Sequence, residues 1–561
     1  MPPVKRLTAG LLALIASSCA PDVDTLIVGG TIYDGSGNPP YVADLAISGD
    51  TIFALGNLDT LSAATTVDAH GLAVSPGFIN MLSWSVESLL EDGRGQSDIL
   101  QGVTLEVFGE GWSMGPLNED MRKQLLADQG DIRFEVTWTT LGEYLQHLED
   151  RGVSPNVASF IGAGTVRIHE VGYDDRPATP EEIQGMKALV AAAMEEGALG
   201  VGSSLIYSPD FFATTEELIE ISKVASSYGG MYISHLRSEG NGLLQAVEEL
   251  LTIAREANIA AEIYHLKAAG RDNWKKLDQV ISKVQQAQKE GLAITADIYT
   301  YTTAGATGLD AAMPPWVQAG GDRMWAQRLR SIAIRFKLQE QMSTPTDEWE
   351  SLLLAAGSPS NVILTGFKSD SLKYLTGKTL AEVAEMWDIT PEMAAIELVL
   401  RDGSRVEAVY FIMSEENVRK KVALPWVAFN SDASAQAPEG NFLKSNPHPR
   451  AYGNFARLLG KYVRDEKIVS LQEAIRRLTS FPADNLMLRK RGRLEVGRFA
   501  DVVIFDPATI SDHATYLEPH QYSTGVSYVW VNGSMVLKKG HHTGATPGRF
   551  VKGPGWSGWQ N

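Results

Sequence analysis

The chain has 561 residues, 44% of them hydrophobic and 21% charged, the balance of an ordinary soluble protein with ample apolar material for a large core. A formal net charge of −19 at pH 7 offers no basic face to neutralise phosphates, which excludes nucleic acid as a partner class. The single cysteine excludes a disulfide framework, so stability rests on packing.

In chain order, the first element is a leader over residues 1–18. A basic start (Lys5, Arg6), an apolar run and small residues make a secretory signal peptide, too short for a membrane span. It runs into Ala16-Ser17-Ser18-Cys19, a segment that resembles a bacterial lipobox. Cys19 is therefore expected to carry lipid, as the chain's only link to a membrane. Ala20 lacks the acidic side chain expected for inner-membrane retention, so the expected location is the outer membrane, facing the periplasm.

Residues 24–75 read as short strands, namely Leu26-Ile27-Val28, Thr31-Ile32-Tyr33, Leu45-Ala46-Ile47 and Thr51-Ile52-Phe53. Gly29-Gly30, Asp34-Gly35 and Gly49-Asp50 punctuate them. The same texture returns at residues 501–505 and 526–536, the latter broken by the hairpin signal Asn532-Gly533. Two β segments at opposite ends predict one small β-sandwich domain built from residues 20–75 and 490–550, enclosing a larger unit over 76–489.

That larger unit alternates helix and strand. Thr179-Pro180-Glu181-Glu182 opens a helix with a cap, a proline at the first helical position and a capping-box glutamate. Residues 198–205, 231–236, 259–266 and 292–299 then read as strands separated by helices. Strict alternation gives parallel strands, as a closed barrel or an open wound sheet. The barrel is preferred because His235, His265 and Tyr299 all sit at the C-terminal ends of successive strands, where a barrel mouth would gather them. Residues 310–368, with Pro314-Pro315-Trp316, interrupt the rhythm as either a lid or a surface insertion. One strand-end histidine is ordinarily a core residue, but two at matching depth make a zinc site. Lys267 shares the face of His265 and is either a ligand contact or a surface lysine.

Ordered motifs support a resemblance over about residues 24–549. Leu205-Ile206-Tyr207, Ser234-His235-Leu236-Arg237, His265-Leu266-Lys267-Ala268-Ala269-Gly270, Asn430-Ser431-Asp432 and His448-Pro449-Arg450-Ala451-Tyr452-Gly453 resemble the signatures of the N-acyl-D-amino-acid deacylases, amidohydrolase-superfamily enzymes. The resemblance implies a (β/α)8 barrel, a zinc-dependent hydrolase and a small-molecule amide substrate. It makes His235 and His265 metal ligands and Asp432 the carboxylate that moves the proton of the attacking water; Asn430-Ser431-Asp432 also reads as a turn. It places Arg450 at the substrate carboxylate, with Tyr207 and Tyr299 either lining the pocket or merely packing.

The pattern fails at the first strand, where the superfamily's His-x-His positions hold Leu82 and Trp84, neither able to ligate zinc. The family's next ligand, a cysteine, is also missing. Glu110 lies nearest after a one-residue gap, and a His-His-Glu set is a workable catalytic site. Ala163 stands where the family often has histidine. The expectation is one zinc per chain on Glu110, His235 and His265. The alternatives are a metal-free, lipid-anchored binding protein, and a peptidase or lactonase on the same scaffold.

Overall fold

The computed structural model describes residues 22–560, so the leader and Cys19 lie outside the described residues. Strands β1 (Val23–Ile32), β2 (Tyr41–Ser48), β3 (Thr51–Gly56), β4 (Ala63–Asp68) and β5 (Ala73–Pro76) open the chain. Gly29-Gly30 is no turn: β1 runs straight through it with a register shift against β2, because Gly29 adopts a positive φ of 66° that bulges the strand without ending it.

The parallel strands follow as β6 (Phe78–Asn80), β7 (Val103–Phe108), β8 (Asn156–Ser159), β9 (Ile161–Gly162), β10 (Gly200–Ser204), β11 (Met231–His235), β12 (Ala260–Ile263) and β13 (Ile294–Ile298). The helices between them form for the reasons the sequence gives. Pro180–Glu196 is entered through the Thr179–Glu182 capping box, and Leu243–Glu256 buries one apolar stripe.

The alternation then stops over a wider stretch than residues 310–368. Strands β14 (Thr303–Gly308), β15 (Val362–Gly366) and β16 (Glu407–Phe411) form an antiparallel sheet in the order β14-β16-β15, and the helices between them pack into a core of their own. Strand β17 (Val427–Phe429) resumes the parallel set. Pairing runs β6-β7-β8, and the Phe160 N–H donates to Phe108 O at 2.9 Å across the short break between β8 and β9. It continues β9-β10-β11-β12-β13-β17, and the Met81 N–H donates to Phe429 O at 3.3 Å, beside a parallel bridge between Ser83 and Ala433.

Strands β18 (Val502–Phe505), β19 (Val526–Val531), β20 (Ser534–Lys538) and β21 (His541–His542) close the chain, with Asn532-Gly533 turning β19 into β20. They join the N-terminal strands through the β5–β18 pair. The product is one continuous nine-stranded sheet where a two-sheet sandwich was expected. Alternation along β18 explains how it docks. Val502 and Ile504 face the sheet's own core, whereas Val503 and Phe505 enter the main core, where Phe505 meets Phe78 edge-on at 6.2 Å. Among the described residues, no helix is long and apolar enough to cross a membrane.

Candidate metal centre

The chemically capable residues lie just past the C-terminal ends of the parallel strands. Glu110 follows β7 by two residues, between Gly109 and Gly111, both at positive φ. A Cβ on Gly109 would stand 2.3 Å from Phe160 O, and one on Gly111 2.5 Å from the Ser204 Cβ, so only glycine lets the chain turn Glu110 inward here. His235 ends β11, His265 lies two residues beyond β12, Tyr299 follows β13 and Asp432 lies three beyond β17. His265 and Asp432 hold left-handed φ values of 34° and 45°, a backbone strain that clusters at functional sites.

Three of these side chains meet at one atom. Glu110 Oε1 lies 3.0 Å from His235 Nδ1 and 2.7 Å from His265 Nε2, with the imidazole rings edge-to-face at 4.5 Å. All three residues are buried, and ligand atoms from each lie within 4.8 Å of one another. Burial opposes the Glu110 charge, yet His265 and His235 hold its carboxyl well below the usual range. Burial and Lys267 work against protonated His265, but Glu110 and Asp432 carry it up to about 9.

Lys267 is not a surface lysine. It is 3% exposed, and its Nζ donates to Glu239 Oε1 at 2.9 Å and lies 2.6 Å from His265 Nδ1. Glu239 is the residue that sequence reasoning missed. Its Oε1 lies 3.2 Å from His265 Nδ1 and its Oε2 lies 3.7 Å from His235 Nε2, so it stands behind both imidazoles. Glu350, from the segment between β14 and β15, accepts hydrogen bonds from the Ser238 hydroxyl and from the Glu239 and Gly240 N–H groups, which fixes the loop carrying Glu239.

On the far side of the same cavity, Asp432 is clamped. Arg450 Nη2 donates to its main-chain carbonyl and to Gly305 O and makes an ion pair with its Oδ2 at 2.8 Å, and Trp84 Nε1 donates to its Oδ1 at 3.0 Å. Burial raises the Asp432 carboxyl and Arg450 opposes that rise. Residues 430–432 form an irregular segment rather than a turn, and Asp432 borders the site. Arg450 is fully buried, stacks 4.2 Å over the Tyr299 ring, and leaves Nε and Nη1 without partners among the described residues. Tyr207 donates to Thr307 Oγ1 at 2.7 Å and sets its ring against His235 at 5.4 Å. Ala163 opens a buried helix beside the cavity and brings no ligand atom.

The triad, Lys267, Tyr207, Trp84 and Asp432 line a cavity of about 200 Å³. Arg450 lines an adjoining one of about 830 Å³, and Trp84, Tyr207 and Asp432 border both. The donor set suits zinc: two imidazoles and a carboxylate with room for a further ligand, and Glu239 set behind both rings.

The amidohydrolase family model matches residues 427–537. The D-aminoacylase of Alcaligenes xylosoxydans xylosoxydans is 32% identical over 537 residues, covering 94% of this chain and 97% of the relative. A solved D-aminoacylase, described for a binuclear metal centre with one-metal activation and second-metal attenuation, superposes with a TM-score of 0.78 at 30% identity over 94% of this chain and all of that one. The N-acyl-D-glutamate deacylase of Bordetella bronchiseptica, solved with zinc and a phosphonate mimic of the tetrahedral intermediate, gives 0.77 at 28% identity, covering 94% of this chain and 99% of that one.

Proposed function

Because the chain belongs to the D-aminoacylase family of amidohydrolases, we propose that it removes the acyl group from N-acyl-D-amino acids with one zinc ion per chain. The observation that carries this reading is the convergence of Glu110, His235 and His265 on one point, in a cavity that also holds Asp432. The architecture we infer is a closed eight-stranded barrel, counting β8 and β9 as one strand, with the nine-stranded sheet as a second unit.

Zinc held by Glu110, His235 and His265 supplies Lewis acidity toward a carbonyl oxygen and toward water. The residues of the chain do the rest. Arg450 offers its two unpartnered donors, Nε and Nη1, to the substrate's α-carboxylate, helped by the Tyr299 hydroxyl, which is buried without a partner. Tyr207 walls the cavity. Lys267 offers a second cation next to the triad. Glu239 stands behind both imidazoles, 3.2 Å from the outer nitrogen of His265 and 3.7 Å from that of His235. Asp432 takes a proton from the attacking water as its oxygen bonds to the amide carbon. It returns that proton to the amide nitrogen as the C–N bond breaks, giving a carboxylate and a free amine.

Metal analysis and one variant test this. The chain should bind about one zinc, and Asp432→Asn should keep the metal while turnover of N-acetyl-D-leucine and N-acetyl-D-glutamate disappears. Turnover at the wild-type rate in Asp432→Asn would refute the proton transfer. Cleavage of dipeptides or L-isomers in preference to N-acyl-D-amino acids would move the assignment to a peptidase. The leader and Cys19 support a lipid anchor at the outer membrane; a Cys19→Ala chain recovered free of membranes is the expected result.

A further inference from the structure

The relative with a binuclear centre sets the question of what stands in place of a second metal ion here. Among the described residues, the only group able to hold a metal is Glu110, His235 and His265. The positions that the resemblance assigns to a first-strand histidine pair are Leu82 and Trp84. Leu82 is fully buried in an apolar cluster with Ile79, Met81, Leu105 and Val107, and its carbonyl accepts from the Asp432 N–H at 2.9 Å. Trp84 takes the side-chain position: its indole N–H points at Asp432 Oδ1 from 3.0 Å. An indole nitrogen is a donor only, so it takes up one lone pair of Oδ1 and cannot itself bind a cation. These residues do not fit a second ion.

We propose that Trp84 brings no ligand for a second metal ion and instead fixes Asp432 through its indole N–H, a positioning residue in a chain with a single metal site whose activity excess zinc does not attenuate. The proposal rests on the assignment of Asp432 as the proton carrier. Asp432 has a left-handed backbone, so its carboxylate direction is not set by an ordinary rotamer preference alone. An ion pair from Arg450 on Oδ2 and a hydrogen bond from Trp84 on Oδ1 fix it instead. Both are covalently part of the chain, so the clamp does not depend on metal concentration. A hydrogen bond from an indole N–H to a carboxylate is charge-assisted and among the stronger kinds.

The test uses the mature full-length chain. Trp84→Phe keeps the aromatic surface and removes the donor. With N-acetyl-D-leucine as probe, kcat should fall roughly ten- to hundredfold while KM stays within about twofold. Zinc content should remain at about one per chain and the thermal midpoint should hold. A spectroscopic readout needs no Trp84 variant. With the twelve tryptophans labelled at nitrogen, one downfield indole N–H should move upfield in Asp432→Asn. Wild-type activity should also persist as zinc rises past one equivalent. Unchanged kcat in folded Trp84→Phe, no indole resonance responding to Asp432→Asn, or a second tightly bound zinc in the wild-type chain would each overturn the proposal. Wild-type turnover by Asp432→Asn would instead sink the proton-transfer assignment, so the two failures are told apart.

Discussion

Replacing Glu239 by Gln keeps the shape of the side chain and removes one charge from a closed set. Glu239 lies 2.9 Å from Lys267 Nζ and 3.2 Å from His265 Nδ1, and every partner is at least nine-tenths buried. Two carboxylates, Glu110 and Glu239, balance a buried ammonium and whatever cation the imidazoles hold. At a separation of 4 Å and an effective dielectric of about 20, one such attraction is worth about 4 kcal/mol. Breaking a buried pair while leaving one partner charged costs about 3–5 kcal/mol. Glu239→Gln should therefore lower unfolding stability by about 3 kcal/mol. It should also weaken zinc binding by about ten- to hundredfold, the usual effect of losing an outer carboxylate behind a ligating histidine. Urea unfolding measures the first and competition with a chromophoric chelator the second. A variant within about 1 kcal/mol and twofold of wild type would refute the idea that Glu239 balances this centre.

Two further outcomes follow from the same geometry. Arg450→Gln loses both the anion fork and one clamp on Asp432, so kcat/KM for N-acyl-D-amino acids should fall at least about hundredfold with zinc retained, by steady-state kinetics and metal analysis; a fall below about fivefold would refute its role. Burial holds Glu87, Asp210 and Glu350 each up to about 7, with Glu407 adding to Glu87 and Glu239 adding to Glu350. The folded chain therefore keeps these protons after the unfolded chain has lost them, so their contribution to stability is full at low pH and declines as pH rises from the ordinary carboxylate range to about 7. Urea unfolding at pH 5, 6 and 7 should show a shallower decline for Glu350→Gln than for wild type, and identical slopes would count against the assignment.

The helix and strand alternation from Thr179 to Tyr299 was legible because each helix announces itself locally, through the Thr179–Glu182 capping box or the apolar stripe of residues 243–256. His235 and His265 were legible as polar residues ending apolar strands, whereas Asp432 was legible only through the family pattern. Glu110 required the family pattern and a gap. Glu239 and Trp84 were not legible in their roles, because their partners sit on other strands. Nothing in the spacing says that a loop carboxylate four residues past His235 meets a lysine after β12, or that an indole after β6 meets Asp432 some 350 residues on. The antiparallel sheet of residues 303–411 escaped for a similar reason, since its strands are brought together by packing rather than by adjoining turns. Gly29-Gly30 misled because a bulge and a turn both ask for glycine.

The β5–β18 pair has a consequence for how the protein is made. Ala73–Pro76 emerges from the ribosome more than 400 residues before Val502–Phe505, its antiparallel partner. At roughly 5–20 residues per second the wait is roughly 20–80 s. Throughout that interval β5 presents an unsatisfied edge to whatever is nearby, which is the hazard of an open strand. Were the leader expected over residues 1–18 to send the chain out before folding, both ends would reach the same compartment almost together and that interval would shrink.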